Sequence, residues 1–135
     1  KVPSFQTNLG DEQLIGQMLW MQQLPEATRS KLTAIIEHSI YNNGEIIAKQ
    51  GKPFCALGII TRGSVEIVCE RDGEKTKTVL GPGETLGSLS LLSGVSQVTI
   101  KAITLVDMLW LPGEGMKPML ASEPGLAQAI GTLMT

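Results

Sequence analysis

Short apolar runs alternate with glycine-containing turns over residues 46–111, and this alternation restricts the middle of the chain to β-structure. In the run SVEIVCER, Val65 and Ile67 share one side of an extended chain, while Glu66 and Glu70 share the other. This two-residue period predicts a sheet with one face in solvent. The following RDGE contains the Asp-Gly pair of a tight hairpin, so KTKTVL is predicted to return as the partner strand. The runs VTIKAIT and LVDMLWLP predict two further strands.

Helical spacing of apolar residues precedes and follows this strand-rich part. Residues 10–40 are predicted to form two short helices, with Pro25 at the start of the second. Residues 112–134 are predicted to form one or two short helices, interrupted near Pro118 and Pro124. The apolar positions with helical spacing before the strands are Leu14, Met18, Met21, Leu32, Ile35 and Ile36. Helix, then strands, then helix is the element order of an α+β fold.

Composition limits the kinds of partner. The chain has 135 residues, 42% of them hydrophobic and 18% charged, which indicates a single packed domain over residues 1–135. A formal net charge of −2 with scattered basic residues argues against nucleic acid binding. No apolar run has the length of a membrane-spanning helix, so direct membrane insertion is not expected. Because the chain begins at Lys1 rather than Met, we expect it to be a fragment of a larger protein.

The residues that usually carry chemistry are sparse. Cys55 and Cys69 either form a disulfide or pack as small hydrophobic residues, and the second interpretation suits a cytoplasmic location. His38 is the only histidine and is predicted to lie on the second helix, away from the strands, so no metal site is expected. The glycine-rich GPGETLG has the wrong spacing for a dinucleotide-binding loop. Since no nucleophile elbow is present either, the sequence predicts a protein that is not an enzyme.

Two longer stretches resemble the cyclic-nucleotide-binding domain family, whose members have a catabolite-activator-like β-roll. The first stretch is YNNGEIIAKQGKPFCALGIITRGSVEIV, and the second, LGPGETLGSLSLLSGVSQVTIKA, resembles the family's phosphate-binding cassette. In the first stretch the residues at the family's spacing are Gly44, Glu45, Ile47, Gln50, Gly51, Ile60 and Gly63. The resemblance implies an antiparallel β-roll of about eight strands, of the double-stranded β-helix or jelly-roll type, with flanking helices. The roll would then span residues 41–111, with the cassette at residues 86–99.

The cassette departs from the family at the residues that meet the ligand. In the family, a glycine and a short helix present backbone N–H groups to the cyclic phosphate, a glutamate holds the ribose and an arginine pairs with the phosphate. Here Gly87 is kept, whereas Ser88 stands at the glutamate position and Gln97 at the arginine position. Val98 replaces the small residue that follows. The backbone part of an anion site is therefore retained, and its charged side chains are replaced by neutral ones.

The candidate ligand-binding residues are Leu86, Gly87, Ser88, Leu89, Ser90, Gln97, Val98 and Thr99. Several of them also have purely structural interpretations. Gly87 suits a tight turn, and Ser88 is a good helix N-cap. Thr99 points either into the roll or into solvent. Lys101 shares the strand phase of Gln97, so it is either a substitute for the missing arginine or an ordinary solvated lysine.

The resemblance implies a regulatory domain that requires no cofactor, with cAMP or cGMP as candidate ligand. It would bind a cyclic nucleotide or another small anion weakly, or would have lost this binding, and would control an attached output unit through its C-terminal helices. We expect that unit to be an ion channel or transporter, which would place the domain on the cytosolic face of a membrane. The alternative is a ligand-free β-roll that serves in protein interaction or structure.

Overall fold

The computed structural model describes residues 2–3, 24–87 and 90–131. Its strands are β1 (Val2–Pro3), β2 (Glu37–Tyr41), β3 (Ile46–Ala48), β4 (Ala56–Arg62), β5 (Val65–Arg71), β6 (Glu74–Leu80), β7 (Thr85–Leu86), β8 (Thr99–Ala102) and β9 (Val106–Pro112). Within these residues a five-stranded sheet has the order β1-β2-β9-β4-β7, and a four-stranded sheet has the order β3-β8-β5-β6. All pairings are antiparallel. The α+β fold with an antiparallel β-roll is therefore confirmed.

Helices flank the roll on both sides in sequence. Helix α1 (Glu26–Ile35) precedes β2, whereas α3 (Gly113–Ser122) and α4 (Pro124–Gly131) follow β9. The short α2 is numbered in chain order and lies within the roll, between β7 and β8 (Ser90–Ser93). Helix α1 begins directly after Pro25, whose extended backbone precedes the first turn. The first predicted N-terminal helix, with Leu14, Met18 and Met21, lies outside the described residues, as does the tail at residues 132–135.

The hairpin predicted from RDGE is present. Strands β5 and β6 pair from Val65 opposite Leu80 to Arg71 opposite Glu74. The two loop residues, Asp72 and Gly73, have φ values of 52° and 79°. Positive φ at both positions is the conformation whose twist matches two antiparallel strands, which explains why an Asp-Gly pair is found here.

The five-stranded sheet is buried on both faces. One face packs against the helices and the other faces the four-stranded sheet, so alternate residues of β4 and β9 enter different cores. On the helix side the buried residues include Leu57, Ile59, Leu109, Leu111, Met116 and Leu126. Between the sheets they include Tyr41, Ile60, Val65, Ile100, Met108 and Trp110. Gly58 faces this second core, and a Cβ there would lie 2.6 Å from the Trp110 ring. The missing side chain therefore leaves room for the indole.

The structure corrects the position of His38. Residues 37–40 belong to β2 rather than to the second helix, which ends at Ile35. His38 lies opposite Leu109 of β9, and its Nε2 is 3.7 Å from the Asp107 carboxylate. The helical spacing of the preceding apolar residues is overridden here because all five residues of β2 pair with β9.

The structure also corrects the interruption expected at Pro118. Helix α3 continues through this residue to Ser122, and α4 starts at Pro124. Pro118 removes one backbone hydrogen bond, but its ring is exposed while Met116 and Met119 on the same helix are buried. Packing of the methionines against the core outweighs the lost bond.

The two cysteines are free thiols. Cys55 packs against the helix-side core, and Cys69 lies half-buried on β5. This agrees with the interpretation of both as small hydrophobic residues.

Candidate ligand-binding site

The cassette starts with a sharp turn at Gly87, directly after β7. Gly87 has a φ of 85°, in the left-handed region that favours glycine. A Cβ at this position would lie 2.4 Å from the carbonyl oxygen of Ala56 and 3.4 Å from the Phe54 ring. The turn that the resemblance implies is therefore present, and the packing of β4 against it is sufficient to require glycine.

Ser90 closes this turn from the inside of the protein. The residue is 2% exposed, and its N–H donates to the carbonyl oxygen of Gly87 at 3.0 Å. Its hydroxyl donates to the same oxygen at 2.6 Å and accepts the N–H of Ala56 at 3.4 Å. Ser90 therefore links the cassette to β4 through its hydroxyl group. Ser88 and Leu89 lie outside the described residues.

Gln97 is held by the end of the cassette helix. Its side-chain Nε2 donates to the hydroxyl oxygen of Ser93 at 3.3 Å, at a solvent-exposed position. Its carbonyl oxygen accepts the thiol of Cys69 at 3.8 Å. The side-chain amide of Gln97, which the resemblance places at the family's arginine position, is thus engaged on the surface of the cassette.

Two candidate residues belong to the core between the sheets. Leu86 is 5% exposed, and Val98 packs against the same cluster of buried residues. Both contribute apolar surface only. Val98 therefore occupies interior space next to the cassette, where the resemblance implies a smaller side chain.

Thr99 lies on the outer side of β8. The next residues, Ile100 and Ala102, are buried between the sheets, whereas Lys101 is exposed. Strand alternation therefore places Thr99 and Lys101 on the opposite side from Ile100. Of the two interpretations of Lys101, this position favours the ordinary solvated lysine. The Thr99 hydroxyl instead accepts the N–H of Gln50 at 3.0 Å.

Gln50 is a structural residue of the site that the sequence did not reveal. Its side chain donates to the carbonyl oxygen of Glu70 at 2.9 Å and accepts the N–H of Glu70 at 3.0 Å. Together with the Thr99 contact, these bonds join β8 and β5 at the end of the cassette. Gln50 occurs in the first family-like stretch, but its spacing there did not show what it binds.

Ser96 is a second polar residue of the site whose burial the sequence does not indicate. It is 4% exposed, its N–H donates to the carbonyl oxygen of Lys52 at 3.0 Å, and its own carbonyl oxygen accepts the N–H of Gly51 at 2.8 Å. The Ser96 hydroxyl donates to the carbonyl oxygen of Val98. Ser96 rather than Gln97 is therefore the buried polar side chain between α2 and β8. A lone serine between a valine and a glutamine carries no sequence signal for burial.

The cassette itself carries no charge. Residues 86–99 contain no acidic, basic or histidine side chain. Within the cassette, the groups that could attract an anion are therefore backbone N–H groups and neutral polar side chains. In the described part of the chain, no group of His, Cys, Asp and Glu residues is arranged to hold a metal ion. Among the helices of the described residues, none combines the length and hydrophobicity of a membrane span.

Comparison with known proteins identifies relatives that are similar in sequence. A protein of Rhodopseudomonas palustris, named as a potassium channel protein, is 29% identical over 92 residues, which cover 67% of this chain and 22% of that protein. A cAMP-dependent protein kinase regulatory subunit of Debaryomyces hansenii is 27% identical over 118 residues, which cover 87% of this chain and 26% of that protein. The chain thus spans about a quarter of the length of these two relatives.

A solved structure shares the fold of this chain, and a family model identifies its family. The N-terminal domain of a transcriptional regulator from Streptomyces coelicolor A3(2) superimposes with a TM-score of 0.71 and 26% identity, covering 90% of this chain and 87% of that one. The model of the cyclic nucleotide-binding domain matches residues 39–123, from β2 to the end of α3. Because this match covers more than half of the chain, the protein belongs to the cyclic nucleotide-binding domain family.

Proposed function

We propose that this chain is the regulatory domain of a larger protein, that it binds cAMP or cGMP weakly, and that it controls an attached ion channel or transporter. The observation that carries the proposal is the turn at Gly87, whose φ of 85° precedes the short helix α2. Successive backbone N–H groups at such turns attract anions without the help of charged side chains. No catalytic activity is expected of the domain.

The expected affinity is low because two charged contacts are replaced. Hydrogen bonds to charged groups contribute about 1.5–3 kcal/mol, whereas neutral ones contribute about 1 kcal/mol. With Ser88 and Gln97 in place of an acid and a base, binding is expected to be about tenfold to a hundredfold weaker than with the charged pair.

The C-terminal helices are the route from the roll to an output unit. Met116 of α3 and Leu126 of α4 are fully buried against the same core as Leu57 and Ile59 of β4. The other side of β4 carries Ala56, which holds the cassette turn through Ser90. A ligand that binds one arrangement of these parts better than another would shift the position of the helices. The channel-named relative favours a membrane transport unit as the output, with the domain on its cytosolic face.

A second candidate function is a ligand-free interaction module. It is supported by the interior position of Val98 and by the engagement of Ser90 and Gln97 within the protein. In this case the roll would bind a protein surface or hold the helices in one position, and nucleotides would have no effect.

An amide NMR titration of the 135-residue chain with cAMP and cGMP, up to millimolar concentration, separates the two. Saturable shifts centred on Gly87 and on residues 96–99 support weak nucleotide binding. Sodium phosphate at the same concentration is the control for a general anion effect. Amide signals that do not change with either nucleotide would contradict the proposal and support the ligand-free module.

A further inference from the structure

A cavity of about 410 Å³, partly open to solvent, lies at the edge of the roll where β2, β3, β4 and β9 meet. None of the candidate cassette residues that the structure describes lines it. The volume is within the range of small-molecule sites in proteins and is sufficient for a small ring system. The lining residues that the inference uses most are Tyr41, Glu45, Ile46, Phe54, Ala56 and Trp110.

Aromatic rings form part of the wall of this cavity. Phe54 and Trp110 meet edge to face, with ring centroids 5.5 Å apart and planes at 76°. The indole Nε1 of Trp110 donates to the hydroxyl oxygen of Tyr41 at 3.1 Å in a buried position. Because these contacts hold the rings in place, the wall is arranged before any ligand enters, and little conformational entropy is lost on binding.

The side chain of Ile46 lies where the cavity opens to solvent. It belongs to the lining, yet it is 52% exposed. A ligand that covers this side chain removes apolar surface from water, and this removal favours binding.

The polar groups of the lining offer no dedicated partner to a charged ligand. The Tyr41 hydroxyl accepts the Trp110 N–H, and the Glu45 carboxylate accepts the N–H of Asn42 at 3.0 Å, so both groups are already engaged within the protein. Glu37 is exposed, and water screens its charge. No Lys or Arg is among the lining residues that the structure describes. Apolar contact is therefore the main source of affinity that the cavity provides.

We propose that this cavity binds a small uncharged molecule with a flat aromatic ring. The ring would pack against Phe54 and Trp110 and would cover Ile46 at the opening. Aromatic rings favour edge-to-face and offset contacts with one another, and such contacts contribute affinity beyond the area that they bury. The site uses other residues than the cassette and takes a ligand of a different chemical class.

The cavity shares two wall residues with the packing of the cassette turn. Phe54 and Ala56 line the cavity, and they are also the residues that an added Cβ at Gly87 would approach. A bound ring that displaces Phe54 would therefore change the environment of the Gly87 amide. This gives the site a route to the cassette without direct contact.

The test uses four probes, each with one six-membered ring: benzyl alcohol, cyclohexylmethanol, benzylammonium and benzoate. Each is titrated into the isotope-labelled 135-residue chain, up to tens of millimolar, while the amide and indole N–H signals are followed. We expect saturable shifts with benzyl alcohol at the Trp110 indole and at Phe54 and Ala56. Cyclohexylmethanol has the same skeleton without a flat ring and should bind about fivefold more weakly. Neither charged probe should bind more tightly than benzyl alcohol.

Ile46→Thr should weaken the binding of benzyl alcohol about threefold, because it removes apolar surface at the opening while it keeps a β-branched side chain on β3. Val79→Thr is the matched control, since Val79 is 58% exposed on β6 and does not line the cavity, and it should leave the affinity unchanged.

The proposal would be overturned by the absence of saturable shifts with benzyl alcohol, by shifts that map away from Trp110, by equal binding of the two alcohols, or by tighter binding of either charged probe. An equal loss of affinity in Ile46→Thr and Val79→Thr would also contradict it. If Ile46→Thr is not folded, as judged by its amide spectrum, the ranking of the four probes on the unmodified chain decides the outcome.

Discussion

The Ser90 hydroxyl oxygen lies 2.6 Å from the carbonyl oxygen of Gly87, and this short hydrogen bond closes the cassette turn on its buried side. The same hydroxyl accepts the N–H of Ala56, so one side chain links the cassette to β4. The candidate site is therefore stabilised by the protein's own contacts.

Ser90→Ala is expected to destabilise the fold by about 1–3 kcal/mol, because the part-buried N–H of Ala56 loses its acceptor and the Gly87 carbonyl oxygen loses one of its two donors. Ser93→Ala, in the same helix but at an exposed position, is the control and should cost less than about 1 kcal/mol. Urea unfolding of both variants measures the difference. Equal stability losses would show that the Ser90 contacts contribute nothing specific.

Gly87→Ala tests the turn itself. The left-handed φ of 85° costs an alanine about 1–2 kcal/mol, and the new Cβ would lie 2.4 Å from the Ala56 carbonyl oxygen. Gly94 is a matched control, since its φ is 78° and nothing lies within 4 Å of an added Cβ. Thermal or urea unfolding should show a larger loss for Gly87→Ala than for Gly94→Ala. The excess measures the steric contact alone, and no excess would argue against it.

The features that could be predicted from the sequence are those determined by local interactions. The β5–β6 hairpin follows from a two-residue period and an Asp-Gly pair, and the turn at Gly87 follows from a backbone conformation that few other residues tolerate. The strand that contains His38 could not be predicted in this way. Its conformation depends on pairing with β9, which lies about seventy residues further along the chain.

In the candidate site, too, the features that depend on contacts between distant parts of the chain could not be predicted from the sequence. Which side of β8 carries Thr99 depends on its pairing with β5 and on the Gln50 contact, neither of which is local in sequence. The burial of Ser96 likewise depends on backbone bonds to Gly51 and Lys52. Sequence therefore indicates which segment forms the cassette, whereas the orientation of its side chains requires the structure.

Tyr41 is expected to titrate above its ordinary pKa. Burial raises the pKa of this phenol, which also accepts the Trp110 N–H. Since Tyr41 is the only tyrosine, the absorbance of tyrosinate reports on it alone. Above pH ~10 the unfolded chain releases this proton while the folded chain retains it, so stability should fall as pH rises from about 10 through the raised pKa.

The control for this pH dependence is Tyr41→Phe. Because this variant has no phenol to titrate, its free energy of unfolding should fall less steeply above pH ~10 than that of the unmodified protein. At neutral pH the variant should be less stable by about 1–3 kcal/mol, because the buried Trp110 N–H loses its acceptor. A tyrosinate titration in the folded protein at or below pH ~10 would contradict the assignment.

Restoring the charged pair tests whether the cassette can still receive a nucleotide. Ser88→Glu with Gln97→Arg is expected to strengthen cAMP or cGMP binding about tenfold to a hundredfold, because ionised partners replace neutral ones. Val79→Arg, at a site on β6 that is 58% exposed, controls for the added positive charge and should have no such effect. Calorimetric titration of each variant with both nucleotides provides the comparison.

A folded double variant that does not bind nucleotide would point to Val98, whose side chain already packs among the residues between the sheets. Adding Val98→Ala to that variant should then restore binding if only space is lacking. If the triple variant also fails to bind, the loss of function lies in the backbone of the turn, because the charges and the volume would both have been supplied.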